Sequence, residues 1–350
     1  MIPQFTIMKR IGKLWDKIVD KDNLRLALRK AAKGKRGIGA VRKVERNTEK
    51  YIDKLHNMLV SGNYKTAAYK SQIIHEPKQR TIHSLPFFPD RIVHHAILNV
   101  LGDYWDKLFI YDSYACRQKK GQHAGSLRCM SMVRHNTYVL KCDISKFYHS
   151  IHHGRLKAIL RRKIKDPRVL DLLYEIIDSS SSCSELSPGR GVPIGNLMSQ
   201  WFGNIYLNEL DTFIKHTLKI KDYIRYCDDF VLFSNDKHKL CEAAIELRNF
   251  LTNVLDLCFS KCEYFPTSHG VDFLGYRHFK THILVRKSTA KRIRRRVTYI
   301  KSSIAKGHAN FIRFIGQVDS ALGWLKWANS YNLKLSIDIR HVRELLHEYK

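Results

Sequence analysis

The chain of 350 residues carries 62 Lys and Arg against 32 Asp and Glu, a formal net charge of +30, and 44% of it is hydrophobic. That is enough apolar material for one large or two to three smaller lobes, and an excess charge spread along the whole chain repels itself unless a polyanion shares it, which points to nucleic acid. No apolar run approaches the roughly 20 residues that span a bilayer. The basic N-terminus lacks a signal-peptide core, and the eight cysteines fall singly, so the expected location is a reducing cytoplasm, away from membranes.

Residues 1–60 read as basic helices, one through 23–32 and a second over roughly 41–60, the first broken at Lys33-Gly34-Lys35-Arg36-Gly37. Tyr69 to Ile74 reads as a strand, His75 to Arg80 as a turn, and Thr81-Ile82 as the returning strand of a basic hairpin. An apolar helix follows over 90–109. Val139 to Tyr148 is a short apolar strand with Asp143 near its end. Helices fill much of 154–178, then a serine loop runs from Ser179 to Ser184. Gly189 to Gly195 is glycine-punctuated and leads into a helix through Ser199 to Phe213. A strand pair over 223–233, a helix over 236–254 and a β-rich stretch from Val271 to Tyr276 come next, and 288–350 reads as basic helices. Mixed strands and helices with segregated helical ends give an α+β class.

The chemistry concentrates on aspartates. Tyr223 to Phe233 is two apolar, β-prone flanks around Asp228-Asp229, which places two carboxylates at a hairpin turn. A pair of negative charges pressed between apolar strands is costly unless a cation compensates it. Asp143, 85 residues upstream (228 − 143), would complete a three-carboxylate cup for two Mg²⁺ ions, the arrangement that clamps both oxygens of an in-line phosphoryl displacement.

Other candidates are weaker on their own. Lys78 and Arg80 share a face of the basic hairpin and suit a triphosphate. Tyr148, five residues after Asp143, offers a ring to a nucleotide sugar. Gly195 lets a backbone approach a substrate, and Gln200 sits a turn into the following helix. Lys261 is a candidate general acid for a leaving pyrophosphate. Arg292, Arg294 and Arg295 suit duplex phosphates. Trp324 and Trp327, read as three apart on one helical face, suit core packing better than base stacking. Cys258, Cys262 and His269 have no second close pair to make a zinc site. His94-His95 and His152-His153 fit surface or core-capping roles better than metal ligation.

These residues in this order resemble a reverse transcriptase. Asp143 stands in the first palm motif, Tyr226-Cys227-Asp228-Asp229 has the Tyr-x-Asp-Asp form, and Asp272-Phe273-Leu274-Gly275-Tyr276 resembles a primer grip. The resemblance implies a right hand: fingers over 1–130 with part of the palm entry helix, palm over 131–152 and 196–284, a connection over 153–195, and a helical thumb over 285–350. It implies metal binding by Asp143, Ile144, Asp228 and Asp229, with two Mg²⁺ that Mn²⁺ can replace. It places Lys78, Arg80, Tyr148, Ile194, Gly195 and Gln200 on the dNTP, and Phe273 to Tyr276 on the primer.

One segment narrows the family. Ile194-Gly195-Asn196-Leu197-Met198-Ser199-Gln200 stands where most such enzymes have Gln-Gly-x-x-x-Ser-Pro, and it is similar to the enzymes of diversity-generating retroelements. Asp90 to Ala96 and Asp112 to Arg117 resemble the same group. Met198 departs from the usual Thr, and Phe259-Ser260-Lys261-Cys262 departs from the usual Asn-Pro-Lys-Thr. That subtype implies copying of a template-repeat RNA into cDNA with errors opposite adenine, a small basic pentameric accessory protein, a bacterial or phage origin, and template RNA and RNA/cDNA duplex as partners. The rival readings are a retron-like or group II intron-like reverse transcriptase of ordinary fidelity, and a non-catalytic RNA-binding scaffold.

Overall fold

The computed structural model describes residues 10–75, 79–183, 186–307 and 310–348. In chain order its elements begin with α1 (Trp15–Val19), α2 (Lys21–Ala32), α3 (Gly39–Arg46), α4 (Thr48–Val60), β1 (Lys70–Ile74), β2 (Arg80–Ser84) and α5 (Ile92–Leu108). There follow α6 (Gln122–His135), β3 (Tyr138–Ile144), α7 (Phe147–Ser150), α8 (His153–Lys163), α9 (Pro167–Asp178) and α10 (Leu197–Thr212). Then come β4 (Tyr223–Tyr226), β5 (Asp229–Ser234), α11 (Lys237–Phe250), β6 (Phe259–Pro266), β7 (Val271–Phe273), β8 (Tyr276–His278) and β9 (Ile283–Val285). The chain ends in α12 (Lys287–Ala305), α13 (Phe311–Leu325), α14 (Tyr331–Ile337) and α15 (Ile339–Glu348).

It divides into two compact units, Met1–Cys116 with Asp143–Lys219 and Ile245–Lys261, and Arg117–Cys142 with Ile220–Ala244 and Cys262–Lys350. The first is mainly helical. The Asp20 carboxylate accepts from the Asp22 and Asn23 amides and starts α2, whose Leu24, Ala27, Leu28 and Ala31 recur at helical spacing and are buried. They pack on α5, with Ile97, Leu101 and Trp105 completely enclosed. The antiparallel β1–β2 hairpin pairs Ile74 with Arg80 and stands largely exposed.

The expected single helix over 41–60 is two. Asn47 breaks it: its amide side chain donates to the Lys43 carbonyl, and the Thr48 hydroxyl donates to the Glu45 carbonyl, local bonds that compete with the helical ladder. The expected serine loop starts as a short 3₁₀ turn, Ser179–Ser182, and its end at Ser184 lies outside the described residues.

The second unit holds most of a four-stranded sheet of order β4-β5-β3-β6 and a three-stranded sheet β7-β8-β9. Only the last two residues of β3 and the first three of β6 count with the first unit. Helices α12 to α15 enclose a separate core of Ile293, Val297, Phe314, Val318, Leu325, Ile339, Val342 and Leu346.

Candidate active site

Tyr226 pairs with Asp229 across β4 and β5, so the connection is the two-residue loop Cys227-Asp228. Asp228 alone lies in the turn, and Asp229 opens the second strand. Cys227 takes φ 53°, a left-handed conformation that costs a residue with a β-carbon roughly 1–2 kcal/mol. A residue that sequence reasoning missed answers for part of that cost. Arg225 is fully buried, and its guanidinium donates to the Cys227 carbonyl at 3.1 Å, holding the bend from beneath. An arginine inside an apolar strand was the available signal, since a buried charge is kept only where it is partnered.

Asp143 is the penultimate residue of β3. The Ser260 hydroxyl on β6 donates to its carboxylate at 2.5 Å and to its carbonyl at 3.2 Å, so β6 orients the side chain. In the sheet order, β3 is the immediate neighbour of β5. Lys261, next to Ser260, is exposed and lies on β6 itself. Among the described residues no group of three or more His, Cys, Asp and Glu is arranged to hold a metal ion. Asp143 near the end of β3 and Asp229 at the start of β5 each carry carboxylate oxygens, the hard donor type that Mg²⁺ takes.

A second cluster forms in the first unit. The His83 amide of β2 donates to the Ile194 carbonyl at 2.7 Å. Gly195 follows at φ +108°, and a β-carbon there would lie 2.5 Å from Ile82 Cγ2 and 2.8 Å from the His83 carbonyl oxygen. Glycine is therefore demanded by backbone contact and by conformation. Asn196 caps α10 through the Met198 amide and donates to the Tyr69 hydroxyl.

Further along α10, a β-carbon at Gly203 would lie 3.0 Å from the Phe147 ring and 3.2 Å from the Tyr148 ring. Gln200 is exposed three residues earlier, on the same helical face. The Tyr148 ring thus packs against the face of α10 that also bears Gln200. Residues 147 and 148 belong to a helical turn, so strand alternation does not choose between them. Packing does: Phe147 is buried and Tyr148 half-buried. Arg80 is exposed at the start of β2, and Lys78 lies outside the described residues.

A cavity of about 290 Å³ opens beside this corner, lined among others by Lys35, Arg91, His94, Gly195 and Leu197. His94 is buried, its Nε2 has no partner among the described residues, and burial pushes its pKa down to about 3. It is a neutral core imidazole at pH 7. Sequence reasoning singled out neither Lys35 nor this cavity.

The expected primer-grip segment is the β7–β8 turn. Leu274 and Gly275 form its two-residue loop at φ 55° and 80°. Gly275 faces Trp324, whose ring carbon would lie 2.7 Å from a β-carbon. Leucine is an unusual occupant of such a turn, and Gln122 Nε2 on α6 donates to its carbonyl at 2.7 Å. Trp324 lies on α13, but Trp327 is beyond the end of that helix, stacked on His123 with ring centroids 4.9 Å apart. Arg292 is half-buried, Arg294 donates to Ser336 at 3.3 Å, and Arg295 is exposed.

A serine, a histidine and an aspartate also meet in the first unit. His153 Nδ1 lies 3.4 Å from Asp178, and Nε2 lies 3.2 Å from the Ser180 hydroxyl. Nε2 is also 2.7 Å from the Gly191 carbonyl. A carbonyl only accepts, so Nε2 carries a proton and cannot take one from Ser180. The cluster fastens a turn and supplies no nucleophile.

A family model described as reverse transcriptase (RNA-dependent DNA polymerase) matches residues 70–278. The chain therefore belongs to the reverse transcriptase family and is an RNA-directed DNA polymerase. Its relatives include protein YkfC of Escherichia coli (strain K12), 26% identical over 64% of this chain and 70% of YkfC. They also include the group II intron-encoded protein LtrA of Lactococcus lactis subsp. cremoris, 24% identical over 50% of this chain and 30% of LtrA. A putative COX1/OXI3 intron 2 protein of Saccharomyces cerevisiae (strain ATCC 204508 / S288c) is 20% identical over 53% of this chain and 29% of its own length. The chain thus spans under a third of the last two. No helix among the described residues is long and apolar enough to cross a membrane.

Proposed function

We propose that Asp143, Asp228 and Asp229, with the Ile144 carbonyl, hold two Mg²⁺ ions at the growing end of a cDNA strand copied from RNA. When bound, such a pair lowers the pKa of an attacking hydroxyl and neutralises charge on phosphate oxygens. The protein's own part is positional. Ser260 orients Asp143, the Arg225-braced turn presents Asp228 and Asp229, and Tyr148, Gln200 and the Ile194–Gly195 corner receive the nucleotide, with Lys78 and Arg80 on its phosphates. Lys261 serves as general acid on the leaving pyrophosphate. The β7–β8 turn is the primer grip, and Arg292, Arg294 and Arg295 of a helical thumb meet duplex phosphates. The single observation that carries the reading is the sheet order β4-β5-β3, which sets the strand bearing Asp143 beside the one that begins at Asp229.

Primer extension on an RNA template tests it. Asp228→Asn is expected to lose at least about a hundredfold in rate while retaining RNA binding. Full extension by that variant would contradict the assignment.

The finer reading is a diversity-generating enzyme that copies a template-repeat RNA with errors at adenines, works with a small basic pentameric accessory protein and drives mutagenic retrohoming. Its support is the Ile194-to-Gln200 segment. The intron-encoded relatives are the support for a second reading, a group II intron-like enzyme of ordinary fidelity. Sequencing the cDNA separates them: substitutions concentrated opposite adenine support the first, and an even, low error spectrum supports the second.

A further inference from the structure

Two thiols meet beside Asp143. Cys142 on β3 and Cys262 on β6 place their sulfurs 3.6 Å apart, on strands that are neighbours in the sheet. Cys142 is fully buried, and Cys262 is half-buried. The two residues are the chain neighbours of Asp143 and Lys261. A disulfide needs its sulfurs about 2 Å apart, so the two sulfurs must approach by about 1.6 Å to bond. Nothing in the polymerase reading uses either thiol.

We propose that Cys142 and Cys262 form a site of reversible two-electron oxidation by a peroxide, and that the resulting bond slows polymerisation by displacing Ser260 and Asp143. The half-buried Cys262 thiolate attacks one peroxide oxygen. The O–O bond breaks, hydroxide leaves, and a sulfenic acid remains. The Cys142 thiolate then attacks that sulfur, the S–S bond forms, the S–O bond breaks, and the second oxygen departs as water once protonated. Both thiols are oxidised and the peroxide is reduced to two waters. The oxidation stands independently of the polymerase reading, and only its effect on rate rests on it.

The test treats the full-length, reduced chain with hydrogen peroxide, blocks remaining thiols with N-ethylmaleimide, and maps non-reduced tryptic peptides by mass spectrometry. The Cys142 and Cys262 peptides are expected to be linked, with two hydrogens lost. Primer extension is expected to fall about tenfold or more, as displacement of a catalytic geometry by an ångström can cause, and dithiothreitol is expected to restore both. Cys262→Ser should keep the starting activity and resist peroxide. Cys142→Ala reports on folding and should leave Cys262 unlinked. Oxidation of the exposed Cys116 and Cys258 with no Cys142–Cys262 link would overturn the site. A link that forms while activity is unchanged, or equal inactivation of Cys262→Ser, would overturn its regulatory effect.

Discussion

Ile194 is the side chain on which the proposed infidelity rests. Its carbonyl accepts from the His83 amide, and in the proposed reading its apolar, half-buried side chain would offer a nascent base pair shape without directional hydrogen bonds. Losing ~1.4 kcal/mol of discrimination raises errors about tenfold. Ile194→Gln is therefore expected to lower misincorporation opposite adenine by about that factor, read by sequencing cDNA from a defined template. An unchanged error spectrum removes Ile194 from the explanation. This position drew notice in the sequence because it departs from a patterned motif. Arg225 and Ser260 were not legible as partners: a buried arginine and an exposed serine acquire meaning only when the bend and strand β6 show what they touch.

At the scale of elements, the β7–β8 turn is held from α6 by Gln122 and from α13 by Trp324, all within the second unit. The Gln122 bond steadies a leucine in a left-handed turn that would otherwise cost about 1–2 kcal/mol. Gln122→Ala is expected to raise the KM for primer–template about tenfold and leave kcat within a factor of about two. A KM equal to that of the unmodified enzyme, in a variant with an unchanged melting temperature, would separate Gln122 from primer binding.

Strands β3 to β5 and the hairpin β1–β2 were readable because their apolar and β-branched runs are bounded by turn residues. Helix α6 was missed because its buried face is partly Gly125 and Ser126, while Leu127 faces solvent, which erases the helical periodicity. Strand β6 escaped for a related reason. Half of its residues are exposed and the rest half-buried, with no alternation, and it exists because β3 offers it an edge.

For the whole molecule, buried imidazoles set a pH limit on stability. Burial lowers His94 to about 3 and His278 to about 4 from an ordinary 6.5, and His95 is lowered to about 4 in the same direction. The unfolded chain takes up protons on these rings as pH falls below 6.5, and the folded chain refuses them. Stability is therefore full above pH 6.5 and declines toward pH 4. At pH 5 the loss is about 2 kcal/mol for each of His94 and His278. Asp90, raised by burial, opposes this at lower pH. Urea unfolding should show a clearly lower midpoint at pH 5 than at pH 7, and equal midpoints would contradict the burial of these rings.

The convergence of Asp143 with Asp228 and Asp229 on one pair of ions is tested most directly by replacing Mg²⁺ with Fe²⁺ and letting ascorbate and peroxide generate hydroxyl radicals at the metal. Backbone cuts are predicted at both segments, around residue 143 and around residues 228–229, with both sets lost together in Asp228→Asn. Cuts confined to one segment, or cuts at 143 that survive that substitution, would contradict a shared metal site.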